Sequence, residues 1–310
     1  MLARLHDHPS TSPPHFYASS GGNAGLACAT AARSLGLPST IAVPQSTSPL
    51  MIRKIRTAGS AVVQTGCTWK EADTYLRTEL LTRDEGGIYV PPFDHADIWA
   101  GNATVLSEII EQMEDLGAGV PDVLTCSVGG GGLLNGLVHG LSAVDPACRP
   151  TILAVETRGA DSMHQSLVAE SLITLPGITS LATSLGATQV SEQTFRYAMD
   201  PEKKIVSRVL SDEEAVRGCV ELADRERVIV EAACGVCVAA VCEEGRRGEG
   251  WVKGEGTTVV IVVCGGSNCS VEMLAEWRRE FGGLEKGEVV AGEKAADVVS
   301  GLQTPPEEKV

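Results

Sequence analysis

A chain of 310 residues with 43% hydrophobic content can bury a large core, arranged as two domains or one large one. Its formal net charge of -15 disfavours nucleic acid or an anionic membrane as a partner. No apolar run reaches the length of a membrane span and the N-terminus lacks a signal-peptide core, so the expected location is cytoplasmic, with the ten cysteines held as reduced thiols.

In chain order, Ser19-Ser20-Gly21-Gly22-Asn23-Ala24-Gly25 is a glycine turn feeding an Ala-rich helix predicted from Asn23 to Leu35. Gly36 and Pro38 stop it before a strand at Thr40 to Val43. Further strands are predicted at Ala61 to Val63, Ile88 to Val90, Val123 to Val128, Ile152 to Val155 and Val259 to Val263. The last is apolar throughout, as a strand covered on both faces should be. Helical spacing of apolar residues marks Trp69 to Leu81 and Ile98 to Leu116, and Ser211-Asp212-Glu213-Glu214 is a capping box that opens another helix. Cys234-Gly235-Val236-Cys237 has zinc-like spacing, but its apolar setting favours two packed small residues in a helix. Glu243 to Glu255 reads as a surface loop and the end from Gly282 as loosely attached. Such alternation of strands and helices is that of an α/β protein.

Four consecutive glycines, Gly129 to Gly132, stand between the Val123 to Val128 strand and a helix beginning near Leu133. Without side chains the loop can take φ > 0 and bring its N–H groups to an anion, while the helix behind adds free donors and the positive dipole end. The dinucleotide fingerprint Gly-x-Gly-x-x-Gly fails in every frame, and no Gly-x4-Gly-Lys-Ser/Thr is present. This disfavours a nicotinamide-dependent oxidoreductase and makes a small phosphorylated cofactor the better reading. A third glycine turn, Cys264-Gly265-Gly266-Ser267-Asn268, follows the last strand. In open α/β sheets ligands sit beyond the carboxyl ends of the strands, where three such turns can converge on one crevice.

The three turns, in this order, resemble the fold type II (β-family) pyridoxal-phosphate enzymes, and most closely the eukaryotic L-serine dehydratase and L-threonine deaminase group. The resemblance runs from about Phe16 to Phe281 and includes Pro91-Pro92-Phe93-Asp94, Ile98-Trp99-Ala100-Gly101, Val155 to Ala160, Ile178 to Gly186 and Val230 to Gly235. It implies two open, twisted, mostly parallel sheets with helices on both faces. Residues 1–94 would form the small domain and 95–281 the large cofactor-binding domain, with 282–310 as a tail. The implied activity is conversion of L-serine, and more slowly L-threonine, to a 2-oxo acid and ammonia by β-elimination, in a homodimer whose partner is a small amino-acid substrate.

The resemblance also assigns residues. Ser20, Gly21, Gly22, Asn23 and Ala24 match the turn that holds the substrate carboxylate, with Asn23 also contacting the cofactor's 3-hydroxyl. Gly129, Gly130, Gly131, Gly132 and Leu133 match the phosphate loop, and Cys264 with Gly265 the turn facing the pyridine nitrogen. A neutral thiol is too weak an acid to keep that nitrogen protonated, which suits a substrate that loses its β-hydroxyl at once. The alternative for Cys264 is a small thiol packed after a core strand. Glu156, Ala160, Leu185 and Ala187 match positions around a monovalent cation such as K+, held largely by backbone carbonyls. For Glu156 the alternative is a buried carboxylate capping local N–H groups.

One departure from the family pattern is pronounced. Its catalytic lysine lies in a Ser-Phe-Lys-x-Arg-Gly motif a little over twenty residues before the Ser-x-Gly-Asn turn, a position that falls just before Met1. Lys54 and Lys70 sit in segments that resemble other parts of the small domain and do not replace it. Two functions stay open: a lyase whose lysine lies upstream of this chain, or a catalytically silent protein that keeps a cofactor-shaped crevice.

Overall fold

The computed structural model describes residues 1–8, 11–242 and 256–281. The predicted loop at Glu243 to Glu255 and the tail from Gly282 lie outside these residues. Among the described residues eight strands form two four-stranded sheets. The first contains β1 (His15–Ala18), β2 (Ser39–Val43), β3 (Ala61–Gln64) and β4 (Gly87–Tyr89) in the order β3-β2-β1-β4, all parallel. The second contains β5 (Val123–Ser127), β6 (Thr151–Thr157), β7 (Ile205–Leu210) and β8 (Val259–Ile261) in the order β7-β6-β5-β8, again all parallel. Parallel neighbours require crossover connections, and helices between the strands provide them.

The central strands are apolar because both faces are covered: Ile41, Ala42 and Val43 in β2, and Ile152 to Val155 in β6, are fully buried. The apolar run at Val259 to Val263 behaves differently. Only Val259–Ile261 forms a strand, it lies at the end of its sheet, and all three residues are half-buried, with Val263 45% exposed. An apolar run identifies a strand but not its place in the sheet, and among the described residues only β5 pairs with β8. Strands β1 and β7 had no clear signal in the sequence: β1 spans four residues and β7 alternates only weakly.

The helices follow their local chemistry. The helix Asp212–Glu226 opens on a complete capping box: Glu214 N–H donates to Ser211 Oγ at 3.2 Å and Ser211 N–H donates to Glu214 Oε2 at 2.7 Å. The segment predicted as one helix from Trp69 is an α-helix over Trp69–Tyr75 that widens into a π-turn at Leu76–Leu80 and tightens at Leu81–Arg83. Cys234 and Cys237 are buried in the helix Ala232–Cys242, which packs against the second sheet. Among the described residues no helix is long and apolar enough to cross a membrane.

Candidate active site

The glycine loop leaves β5 at Ser127 and enters the helix Gly132–Gly140. Within Gly129 to Gly132 only Gly131 is left-handed, with φ +94°. The loop is braced from within the protein: Ser191 N–H donates to the Gly130 carbonyl at 3.0 Å, and Asn135 N–H to the Gly131 carbonyl at 2.8 Å. The Asn135 side chain, fully buried, donates from Nδ2 to Ser191 Oγ and accepts from Thr194 Oγ1, both at 3.0 Å. A Cβ added at Gly130 or Gly132 would strike Phe93, and one at Gly131 would lie 1.8 Å from Thr194 Oγ1. Gly130 and Gly131 are therefore required by the protein's own packing, apart from any ligand. Leu133 packs its side chain against the core of the second sheet, which leaves only its backbone for a ligand.

The turn at Ser20 is built at the end of β1 and held by the helix Trp69–Tyr75. Ser19 Oγ donates to Asp73 Oδ1 at 2.5 Å, Tyr89 OH to the same oxygen at 2.7 Å, and Trp69 Nε1 to the Ser19 carbonyl. Gly22 N–H donates to Ser20 Oγ at 3.2 Å, an acceptor role that leaves the hydroxyl hydrogen free to donate. Gly21 lies against Thr47, and Ala24 sits half-buried in the first turn of the helix Asn23–Ser34, whose N-terminus has no side-chain cap. That end offers free N–H groups to an anion.

The three glycine turns converge through Asn23. Its Nδ2 donates to Glu231 Oε1 at 2.7 Å and reaches Ser184 Oγ at 3.3 Å, while its Oδ1 accepts from Ser267 N–H at 2.9 Å. Ser184 is adjacent to Leu185, whose Cα lies 3.2 Å from where a Cβ on Gly129 would be, so the tetraglycine loop adjoins the same cluster. Lys54 Nζ donates to the Ser267 carbonyl. The sequence placed Lys54 in the small domain; the fold brings its amine to the rim of the third turn. In that turn Gly265 and Gly266 are left-handed, with φ +72° and +93°. Cys264 is surface-accessible as a residue, but burial of its thiol, with Cys234 and Glu231 adding to the effect, pushes its pKa up to about 11. At neutral pH it keeps its proton.

Glu156 is fully buried, with Oε1 accepting from Met163 N–H at 2.9 Å and Oε2 from His164 N–H at 2.8 Å. Both oxygens thus cap the helix Ser162–Val168, the second of the two readings its sequence allowed. Ala160 and Leu185 share one core cluster, and the Leu185 carbonyl accepts from Ala187 N–H at 2.8 Å. Burial pushes the Glu156 carboxyl from 4.5 up to about 8, against the two N–H groups that favour its ionised form. The folded pKa lies above the unfolded one, so this contribution is complete below the unfolded pKa and is lost as pH rises through the folded pKa. Stability should fall between roughly pH 5 and pH 8 by no more than about 1.4 kcal/mol per pH unit from this group. Urea titrations across that range are expected to show the decline in the parent and a flatter profile in Glu156→Gln.

Sequence reasoning assigned no role to Glu231, Asn135, Thr194, Asp73 or Trp69. An acidic residue opening the otherwise apolar run Glu231 to Val241 was the one local signal. The fold and its three turns define an α/β protein with a glycine loop at a helix N-terminus beside a small polar crevice, and the residues present fit a phosphorylated ring cofactor. The sequence model described as "Pyridoxal-phosphate dependent enzyme" matches residues 1–265, and the chain belongs to that family. Within it the chain falls in the serine dehydratase group. It is 44% identical over 270 residues to a "Serine dehydratase-like" protein of Rattus norvegicus, covering 86% of this chain and 79% of that one. It is 41% identical over 271 residues to "L-serine dehydratase/L-threonine deaminase" of Bos taurus, covering 86% and 80%. A fungal L-serine ammonia-lyase from Rhizomucor miehei superposes with a TM-score of 0.78 at 29% identity, over 90% of this chain and 85% of that structure.

Proposed function

We propose that the protein is a pyridoxal-phosphate-dependent L-serine ammonia-lyase, acting also on L-threonine, that releases a 2-oxo acid and ammonia. The observation that carries this reading is the convergence of the three glycine turns on Asn23, in a chain more than 40% identical to mammalian serine dehydratase relatives. When bound, the cofactor supplies an electron sink for the carbon that loses its proton. The N–H groups of Gly129 to Gly132 would hold its phosphate, the neutral Cys264 thiol would lie on the side of the ring nitrogen, and Asn23 Nδ2 would donate to the ring oxygen. Ser20 Oγ–H and the free N–H groups at the start of the helix Asn23–Ser34 take the substrate carboxylate and so orient the bond to be broken. The reading extends to a monovalent cation near Glu156 and the carbonyls of Ala160, Leu185 and Ala187.

The described lysines are Lys54, Lys70, Lys203 and Lys204. Lys54 is given to Ser267, Lys203 to Asp200 at 3.8 Å and Lys204 to the Arg149 carbonyl at 3.4 Å. The family pattern places the amine that would move the α-proton in a Ser-Phe-Lys-x-Arg-Gly segment, and we propose that such a segment, upstream of the Ser20 turn, supplies it in the active protein. The test measures pyruvate released from L-serine by the chain extended with that segment. Turnover well above that of free pyridoxal phosphate is expected, and an extended chain that binds cofactor but converts neither serine nor threonine would establish the silent binder instead. In the extended chain Ser20→Ala is expected to raise KM for serine about tenfold, the loss of one hydrogen bond to a charged group, with a smaller effect on cofactor affinity. An unchanged KM would remove Ser20 from the carboxylate site.

A further inference from the structure

Glu231 makes more contacts with the crevice than any role so far given to it explains. It is 7% exposed and stands immediately before the helix Ala232–Cys242. Its Oε1 accepts from Asn23 Nδ2 at 2.7 Å and its Oε2 from Asn268 N–H at 3.2 Å, while its own N–H donates to the Gly265 carbonyl at 3.0 Å. The turn is wrapped closely around it: a Cβ on Gly266 would lie 2.1 Å from Glu231 Cδ. One side chain therefore ties the start of the Asn23–Ser34 helix, attached to the first sheet, to the Cys264 turn that follows the second.

The partners of Asn23 dictate which way its amide points. A carboxylate oxygen only accepts and a backbone N–H only donates, so the atom facing Glu231 has to be Nδ2 and the atom facing Ser267 N–H has to be Oδ1. Rotating the amide by 180° would set oxygen against carboxylate and NH2 against N–H. With Oδ1 engaged and one Nδ2 hydrogen given to Glu231, the second hydrogen meets only Ser184 Oγ, at 3.3 Å, a long contact that is readily exchanged for a better acceptor.

We infer that Glu231 is a positioning residue for the cofactor: it locks the Asn23 amide so that one N–H is presented to the ring oxygen. It acts through Asn23 and does not itself touch the cofactor. The inference rests on the cofactor reading given above, and it makes a prediction that reading does not, namely that the two side chains act as one unit.

The experiment is a double-mutant cycle on the 310-residue chain, titrated with pyridoxal phosphate and followed by tryptophan fluorescence. Glu231→Gln and Asn23→Ala are each expected to raise Kd about tenfold, and the double variant to be no weaker than Asn23→Ala alone. Independent action, with the double variant about a hundredfold weaker, overturns the assignment. So does a Glu231→Gln variant that binds as the parent does while Asn23→Ala is impaired. If Asn23→Ala binds normally, or the parent binds no pyridoxal phosphate, the cofactor reading fails as well, and these outcomes are distinct from the first two. The ligand-free protein gives a second readout. The Asn23 side-chain amide should show one exchange-protected proton, shifted downfield in the parent and lost in Glu231→Gln. Should Glu231→Gln not fold, the parent spectrum decides alone: a solvent-like pair of amide protons overturns the inference.

Discussion

Gly131→Val is expected to destabilise the protein by about 2 to 5 kcal/mol, from a left-handed backbone that a β-branched residue resists and from overpacking in a filled site. Gly131 has φ +94°, and the new Cβ would lie 1.8 Å from Thr194 Oγ1 and 2.7 Å from Thr194 Cβ. Thr194 cannot step aside cheaply, because its hydroxyl is bonded to Asn135 Oδ1 at 3.0 Å and Ser191 Oγ at 2.8 Å in a fully buried network. Thermal unfolding is the measurement, with a midpoint lowered by roughly 10 °C for about 3 kcal/mol in a protein of this size. Thr194→Ala in the Gly131→Val background should recover the packing part of the loss and leave the backbone part. A Gly131→Val variant that melts with the parent would contradict the loop geometry. If it melts lower but binds pyridoxal phosphate with full affinity, the loop would be structural only.

Gly25→Val should reduce kcat/KM for serine by about a hundredfold in the extended chain, the loss expected when a binding group is displaced by about 1 Å. Gly25 has ordinary helical geometry, so the effect is one of space. Its Cβ would lie 1.9 Å from the Ser20 carbonyl oxygen and 3.0 Å from Ile41 Cγ2. The first of these is backbone, and Ile41 is fully buried in the centre of its sheet, so the Ser20 turn must open. Opening moves Ser20 Oγ away from the helix N-terminus with which it is proposed to share the substrate carboxylate. Overpacking should also cost about 1 to 3 kcal/mol of stability. Steady-state kinetics with serine, beside cofactor titrations on the same variant, checks the result. Unchanged kinetics would show that the turn does not bear on the substrate.

Some of this protein was decided locally and was legible in the amino-acid sequence. The capping box at Ser211 closes with its own neighbours, the helix from Asn23 ends before Gly36, and the glycine turns sit where strands and helices meet, because caps, periodicity and the conformational freedom of glycine act over a few residues. The α/β class followed from the alternation of strands with helices, and the parallel sheets from the family resemblance. Other features depend on contacts between distant segments and had no local signal. Strand β1 is four residues long and exists because β2 and β4 flank it, and among the described residues β8 ends its sheet although its composition matches that of a central strand. Glu156 meets the N-terminus of the Ser162–Val168 helix with both of its oxygens, a contact that no local pattern marks. Asn23 meets Glu231 across 208 residues of chain and Ser267 across 244. A hydrogen bond of that span has no periodicity and no motif, since only the tertiary fold brings the Asn23 turn to Glu231 and Ser267.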